Sequence, residues 1–302
     1  MTNDNTDDDR LMHFTPLRYP GGKGRLASYV KAILKANNLL DGEYVEPFAG
    51  GAGIALELLF HEYVSRVHIN DLSRSVYAFW RCVLDKTDQL CRLVQDTPRT
   101  VEEWDKHKYV MKNQAAHDDL AVGFAFFFLN RTNRSGIQNG GVIGGRAQAG
   151  GWKIDARYNA NELGARIQSI AKLRSRITLT NMDALQFISV RKNVLPSKTL
   201  IYCDPPYYEK GRELYYHFYK HVDHEAVAQA MASIESQRWI VSYDNVDPIN
   251  QMYCNWRKVT YDIGYSAHTA RQGSEVMFFS KGLIMPQLVG AIIEKGRTEI
   301  AA

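Results

Sequence analysis

Four short stretches carry residue types at spacings that suit chemistry on a planar amine. The sharpest is IYCDPPYY, residues 201–208. An apolar run brings a strand to its carboxyl end, and Asp204, Pro205, Pro206 and Tyr207 then leave it. Two consecutive prolines stiffen the turn and remove two N–H donors, so carbonyl oxygens are left to accept. Asp204 adds a carboxylate acceptor and Tyr207 a flat π surface. Acceptors beside a stacking face are what an exocyclic amine on a planar ring requires; the bland alternative is a simple strand terminator. The second stretch is VEPFAGGAGIALELL, residues 45–59. A strand runs into a glycine turn and a helix, which sets backbone N–H groups and a helix N-terminus at the carboxyl edge of a sheet, with Glu46, Phe48 and Gly50 at the turn. The fingerprint GxGxxG is absent, which disfavours a nicotinamide dinucleotide.

About twenty residues further on, HINDLS (68–73) ends an apparent strand at Asp71. An acidic residue at that spacing can accept from both ribose hydroxyls of a nucleoside, or it can merely cap the following helix. Upstream, PLRYPGGKGR (16–25) resembles a phosphate loop, but Gly24 follows Lys23 where a hydroxyl residue is required. Nucleotide triphosphate hydrolysis is therefore disfavoured. Tyr19 and Lys23 instead suit a cofactor, the ring by stacking and the ammonium by pairing with a carboxylate.

The elements that must position these residues are legible in outline. Apolar runs at 44–48, 66–70, 176–181, 199–204 and 238–244 have little polar alternation, as in strands of a sheet covered on both faces. Helical stripes lie between them at 24–37, 52–63, 73–93 (with Ser73 as N-cap), 183–191 and 223–235. Alternation of this kind predicts an α/β domain with a doubly wound, Rossmann-like sheet. It fails between about residues 86 and 165, where helical patterns (101–113, 120–130) precede a long glycine-rich stretch, residues 130–159. Loops of that length are usually functional or disordered, and 86–165 reads as an inserted, mainly helical module. Arg131, Arg134, Arg146, Lys153 and Arg157 make it locally basic, with Asn130, Asn133, Gln138 and Asn139 suited to reading base edges.

Composition sets the outer bounds. The chain has 302 residues, 45% hydrophobic and 23% charged, enough for a large core. Its formal net charge is +4, and Asp4, Asp7, Asp8 and Asp9 crowd the first residues, so the remainder is more basic than the total. Such a body is compatible with nucleic acid. No apolar run approaches the roughly 20 residues of a membrane span. Cys82, Cys91, Cys203 and Cys254 form no CxxC pair, which fits a reducing cytoplasm and no structural metal. His217, His221 and His224 have no spacing that forces convergence on a metal. Tyr207, Tyr208, Tyr215, Tyr216, Phe218 and Tyr219 read as base contact mixed with packing, and Phe124 and Phe126 to Phe128 as helix core.

The ordered set RYPGGK, EPFAGGAG, HINDLS, NMDAL and DPPY, with FLNRTNRSG at 128–136, resembles the Dam-like (class alpha) N6-adenine DNA methyltransferases from about Phe14 to Ser280. VSYDN (241–245) and the segment 265–279 fall where that family has its later sheet motifs. The resemblance implies an S-adenosyl-L-methionine-dependent enzyme that methylates the N6 amine of a flipped adenine in double-stranded DNA. It implies that Tyr19 and Lys23 touch the cofactor, that Glu46, Phe48 and Gly50 surround its methionine portion, and that Asp71 accepts from its ribose. Asp183 lies near the cofactor adenine, Asp204 to Tyr207 are catalytic, and Asp204 is also close to the cofactor. It further implies a catalytic domain of 14–85 and 166–282, a target-recognition module of 86–165, a disordered acidic leader of 1–13 and a C-terminal helix or tail of 283–302. The implied enzyme is a monomer or weak dimer. It acts as an orphan or within a restriction-modification or phage-defence system, with or without a cognate partner protein. GGVIGGRAQAGG is longer than the β-hairpin segment of that family, so no target sequence carries over. The alternatives are an amino-methyltransferase for RNA or protein glutamine, and an inactive DNA-binding relative; cytosine amino-methylating enzymes more often resemble an SPP-type motif.

Overall fold

The computed structural model describes residues 14–18, 26–209, 219–263, 274–287 and 292–298. Their centre is one eight-stranded sheet: β1 (Gly42–Glu46), β2 (Val64–Asn70), β3 (Ile177–Thr180), β4 (Thr199–Cys203), β5 (Arg238–Asp244), β6 (Arg257–Ile263), β7 (Glu275–Phe279) and β8 (Ile292–Thr298). The strand order is β3-β2-β1-β4-β5-β7-β6-β8. The first five strands are parallel, and β7, β6 and β8 add antiparallel pairings. Side-chain alternation splits the central strands between two cores. Tyr44, Leu200, Tyr202 and Ile240 enter one, while Val45, Ile201, Cys203 and Val241 enter the other. Both faces are therefore covered, which is why the strands read as unbroken apolar runs.

The first core is closed by α1 (Ala27–Ala36), α2 (Gly53–Phe60), α3 (Arg74–Asp85), α4 (Thr87–Asp96), α6 (Asp119–Thr132) and α7 (Ala160–Ala171); α5 (Val101–Lys112) joins through Trp104. The second is closed by α8 (Ala184–Arg191), α9 (His221–Ala232) and α10 (Asp247–Met252). The single helix expected over 73–93 is two, broken at Lys86, whose φ of −132° leaves the helical region. Thr100, Asp118, Asn159 and Asp183 cap α5, α6, α7 and α8 through their side chains, whereas Ser73 makes no such bond.

Helix α6 lies directly on α3. Phe79 and Phe127 stack at 5.6 Å, and a Cβ on Gly123 would sit 2.7 Å from the Ala78 carbonyl, so glycine sets the closeness of the two helices. The helices between α3 and β3 thus share the first core with the sheet. One expectation is corrected: the stretch after 283 is no helix over 292–298 but strand β8, paired antiparallel with β6. RKVTYDI and IIEKGRT mix polar residues into each strand, and that hid the pair from a search for continuous apolar runs.

Strand β1 has β2 on one side and β4 on the other. The chain therefore changes winding direction between β1 and β4, and the crevice outside their carboxyl ends is where open α/β sheets bind ligands. Glu46 ends β1, and Asp204 directly follows β4.

Candidate active site

The turn after β1 is fixed from four directions. The Ala49 amide donates to the Asn70 carbonyl (2.8 Å), Trp80 Nε1 to the Gly50 carbonyl (2.9 Å), Thr15 Oγ1 to the Gly51 carbonyl (2.6 Å), and the Gly50 amide to Asp71 Oδ2 (2.9 Å). Gly50 sits at φ 46°, in the left-handed region that suits glycine. Glu46 is 5% exposed; its Oε1 accepts from the Tyr44 hydroxyl (3.2 Å) and the Ala55 amide (3.1 Å). Burial pushes its carboxyl up to about 8, the two hydrogen bonds oppose this, and the charge of nearby Asp204 adds to it.

The Asp71 carboxylate is held by two main-chain amides. Its Oδ1 accepts from the Ser73 amide (2.9 Å) and its Oδ2 from Gly50, which spends two of roughly four acceptor positions of a carboxylate. Burial raises it to about 6 against those two bonds. Asp183 Oδ1 accepts from the Leu185 and Gln186 amides at 2.9 and 3.2 Å, capping α8. Phe48 meets the Tyr219 ring edge-to-face at 6.0 Å. Burial raises the Tyr219 phenol well above its usual range, and the charges of Asp183 and Asp71 act in the same direction. Phe48, Asp71 and Asp183 thus lie near Tyr219, with Glu46 at the end of β1 and Gly50 in the turn that follows. Tyr19 and Lys23 lie outside the described residues.

Asn70 went unnoticed in the sequence although the site hangs on it. Its amide nitrogen donates to the Pro47 and Met182 carbonyls, both at 3.0 Å. Its oxygen accepts from Thr180 Oγ1 (2.8 Å) and the Met182 amide (3.0 Å). One buried side chain thereby ties together the carboxyl ends of β1, β2 and β3. A polar residue closing an apolar strand was the available signal.

The DPPY turn is held just as firmly. Asp204 Oδ1 accepts from Ser242 Oγ at 2.6 Å, and that hydroxyl in turn accepts from the Tyr202 hydroxyl at 2.9 Å. Asp244 Oδ1 and Oδ2 accept from the Tyr208 and Glu209 amides at 2.9 and 3.0 Å. The Tyr207 hydroxyl donates to Glu275 Oε1 at 2.7 Å. Ser242, Asp244 and Glu275 are thus site residues that sequence reasoning did not single out, all on β5 and β7. Next to the turn, His224 is enclosed by Tyr208, Tyr219 and Tyr243 with centroids at 5.1, 5.5 and 5.5 Å. Tyr215, Tyr216, His217 and Phe218 lie outside the described residues.

The basic candidates separate into two kinds. Asn130 and Asn133 are buried. Asn130 bonds the Arg18 amide and carbonyl (both 2.7 Å) and the Gly136 carbonyl. Asn133 accepts from Trp104 Nε1 (2.6 Å) and donates to the Ile137 and Gln138 carbonyls. Their expected part in base-edge readout is corrected accordingly: these amides are consumed in shaping the loop. Arg131 is also largely enclosed, donating to the Arg157 carbonyl at 2.7 Å; burial, with Arg18, Arg166 and Arg157 nearby, lowers it to about 10. Arg134, Arg146, Lys153 and Arg157 are exposed, although Arg146 is engaged by both oxygens of Asp105 at 2.8 Å. Trp152 is 68% exposed, with the Arg157 guanidinium 5.6 Å from its ring.

Among the described residues no helix is long and apolar enough to cross a membrane, and no group of three or more His, Cys, Asp and Glu side chains could hold a metal ion. The sequence model of the D12 class N6 adenine-specific DNA methyltransferases matches residues 19–264. The Type II methyltransferase M.MjaIII of Methanocaldococcus jannaschii is 22% identical over 205 residues, covering 63% of this chain and 68% of that protein. Among solved structures, the putative methylase HI0767 of Haemophilus influenzae aligns at 10% identity over 84% of this chain and 88% of that one, with a TM-score of 0.36. The rRNA methyltransferase aviRa of Streptomyces viridochromogenes aligns at 12% identity over 86% and 85%, with a TM-score of 0.34. Likeness at those scores bears on neither substrate nor mechanism.

Proposed function

The chain belongs to the D12 class N6 adenine-specific DNA methyltransferase family, and on that premise we propose that it moves a methyl group from S-adenosylmethionine to the exocyclic N6 amine of an adenine flipped out of duplex DNA. The observation that carries the reading is the position of Asp204: it follows β4 at the switch point, beside the glycine turn, with its carboxylate oriented by Ser242. The crevice suits the cofactor chemically. Its carboxylates (Glu46, Asp71, Asp183 and Asp204) match a ligand that carries an ammonium and a sulfonium, and Phe48 with Tyr219 offers aromatic surface for a nucleoside base. When bound, S-adenosylmethionine supplies a methyl group already activated by its sulfonium.

The remaining work falls to residues of the chain. An adenine amine is a weak nucleophile because its lone pair is delocalised into the ring. Asp204 and the Pro205 carbonyl each accept one amine hydrogen, which draws the nitrogen toward sp³ geometry and frees the lone pair for attack. The surplus proton then leaves to Asp204 or to solvent. A hydrogen bond to a charged acceptor contributes roughly 1.5–3 kcal/mol, while alignment of the reacting groups can supply about 7–11 kcal/mol. Alignment is therefore the larger effect, and the Tyr202–Ser242–Asp204 chain serves it. Flipping the base costs a few kcal/mol, and stacking on Tyr207 returns about 1–3 kcal/mol. Exposed Arg134, Lys153 and Arg157 are the proposed phosphate and base contacts from the 86–165 segment, and the cytoplasm is the proposed compartment.

The test is transfer of tritiated methyl from S-adenosylmethionine to unmethylated genomic DNA, followed by nucleoside analysis. Label in N6-methyldeoxyadenosine is expected, with loss on Asp204→Ala. Label in RNA or in protein glutamine instead would overturn the substrate, and undiminished transfer by Asp204→Ala would overturn the role of that carboxylate.

A further inference from the structure

Two carboxylates from neighbouring strands hold the three residues that leave the DPPY turn. Asp244 on β5 and Glu275 on β7 stand directly opposite one another in the antiparallel register. Like charges in that position weaken a sheet, so local sheet stability does not account for the pair. Each is instead engaged by the turn: Asp244 takes the Tyr208 and Glu209 amides, and Glu275 takes the Tyr207 hydroxyl. Glu275 is 4% exposed, and its second oxygen accepts from the hydroxyl of Tyr261 at 2.9 Å. Tyr261 lies opposite Glu275 on β6. Burying a carboxylate is unfavourable unless hydrogen bonds satisfy it, and here two phenols do so.

We propose that Glu275 is a positioning residue that fixes the ring plane of Tyr207, and with it the stacking face offered to the target base. A tyrosine held only by packing can rock about its two side-chain torsions. Tethering the hydroxyl to an acceptor that is itself fixed by a second tyrosine removes that freedom. The inference rests on the reading of Tyr207 as the face for the flipped adenine. Reacting groups need placement within about half an ångström, so a loosened ring lowers the transfer step rather than cofactor affinity.

The experiment is a double-variant cycle with the full chain, S-adenosylmethionine and target DNA, read by single-turnover transfer and by cofactor Kd. Glu275→Gln and Tyr207→Phe are each expected to slow transfer about tenfold, the value of one charge-assisted hydrogen bond, with Kd unchanged. The double variant is expected to be no slower than the slower single one, and Tyr261→Phe to have a smaller effect. Multiplying effects, or a Glu275→Gln enzyme as fast as the unaltered one, would overturn the proposal. A second readout is independent of substrate: ¹⁹F NMR of 3-fluorotyrosine placed at 207. One sharp line is expected, broadened or doubled by Glu275→Gln; a line that Glu275→Gln or Glu275→Asp leaves unchanged overturns the tether. If the unaltered enzyme transfers nothing to adenine while the ¹⁹F line responds, the substrate reading fails and the tether stands.

Discussion

Cofactor binding is expected to release a proton, and Glu46 is the reason. Its carboxyl is raised to about 8 by burial, so at pH 7 about nine-tenths of the empty site holds it neutral. A cationic ligand favours the ionised form. If only that form binds, apparent affinity is lowered about a hundredfold at pH 6 and about tenfold at pH 7, so binding tightens about ninefold across that unit. Asp71, raised to about 6, adds a little under twofold in the same interval and steepens the profile further down. The sum at pH 7 is about one proton released per cofactor bound. Isothermal titration of S-adenosylmethionine in buffers of different ionisation enthalpy counts it directly. Glu46→Gln is expected to remove about 0.9 of that proton and most of the ninefold change. The empty protein supplies an internal check. Its folded state retains a proton that the unfolded chain gives up above the ordinary glutamate range near 4.5, so stability falls by about 1.4 kcal/mol per pH unit as pH rises toward 8. Zero or inward proton flow on binding, or an unchanged profile in Glu46→Gln, would refute the assignment of Glu46 to the cationic part of the cofactor.

Three other outcomes follow from the same geometry. Gly123→Ala places a methyl 2.7 Å from the Ala78 carbonyl and should destabilise the α3–α6 contact by about 1–3 kcal/mol in urea unfolding; an unchanged midpoint would show that the helices can part without loss. His107 is enclosed between Phe124 and Phe128 with both ring nitrogens unbonded, and burial lowers it to about 4. Its folded value lies below the unfolded one, so up to about 3 kcal/mol of stability should disappear as pH falls from about 6.5 toward 4, and the part that His107→Phe fails to flatten has another source. Arg134→Gln should reduce the slope of log affinity for duplex DNA against log salt by about 0.9, measured by fluorescence anisotropy, and an unchanged slope removes Arg134 from the phosphate contacts.

The parallel half of the sheet was open to sequence reading because burial on both faces writes itself as unbroken apolar runs. RWIVSYD was read over 238–244 and β5 spans the same residues. Strands β6 and β8 were not, because their faces are unequal: Val259 and Tyr261 are buried while Lys258 and Asp262 are not. The site divides in a similar way. The proposed ligand residues lie in short contiguous motifs, so Glu46, Asp71 and Asp204 can be named from the sequence. The residues that hold them come from elsewhere in the chain: Ser242 is 38 positions from Asp204, and Glu275 is 68 from Tyr207. Such partners are set by strand register alone. Asn130 and Asn133 show the converse error, since an amide in a basic loop looks the same whether it faces a base or a carbonyl of its own turn.

These supporting contacts explain how one crevice tolerates so many acids. Glu46, Asp71, Asp204 and Asp244 lie at the carboxyl ends of parallel strands, and Glu275 opens β7 opposite Asp244; unpaired negative charge there lowers stability. Each is quieted by donors from the protein: tyrosine hydroxyls for Glu46 and Glu275, main-chain amides for Asp71 and Asp244, and a serine for Asp204. The donors differ in consequence. Amides and hydroxyls hold the oxygens in place, yet for Glu46 they do not overcome burial, and its carboxyl remains raised to about 8. A buried acid that its own hydrogen bonds cannot keep ionised at neutral pH is one whose charge awaits a cation, and the proposed S-adenosylmethionine would supply it.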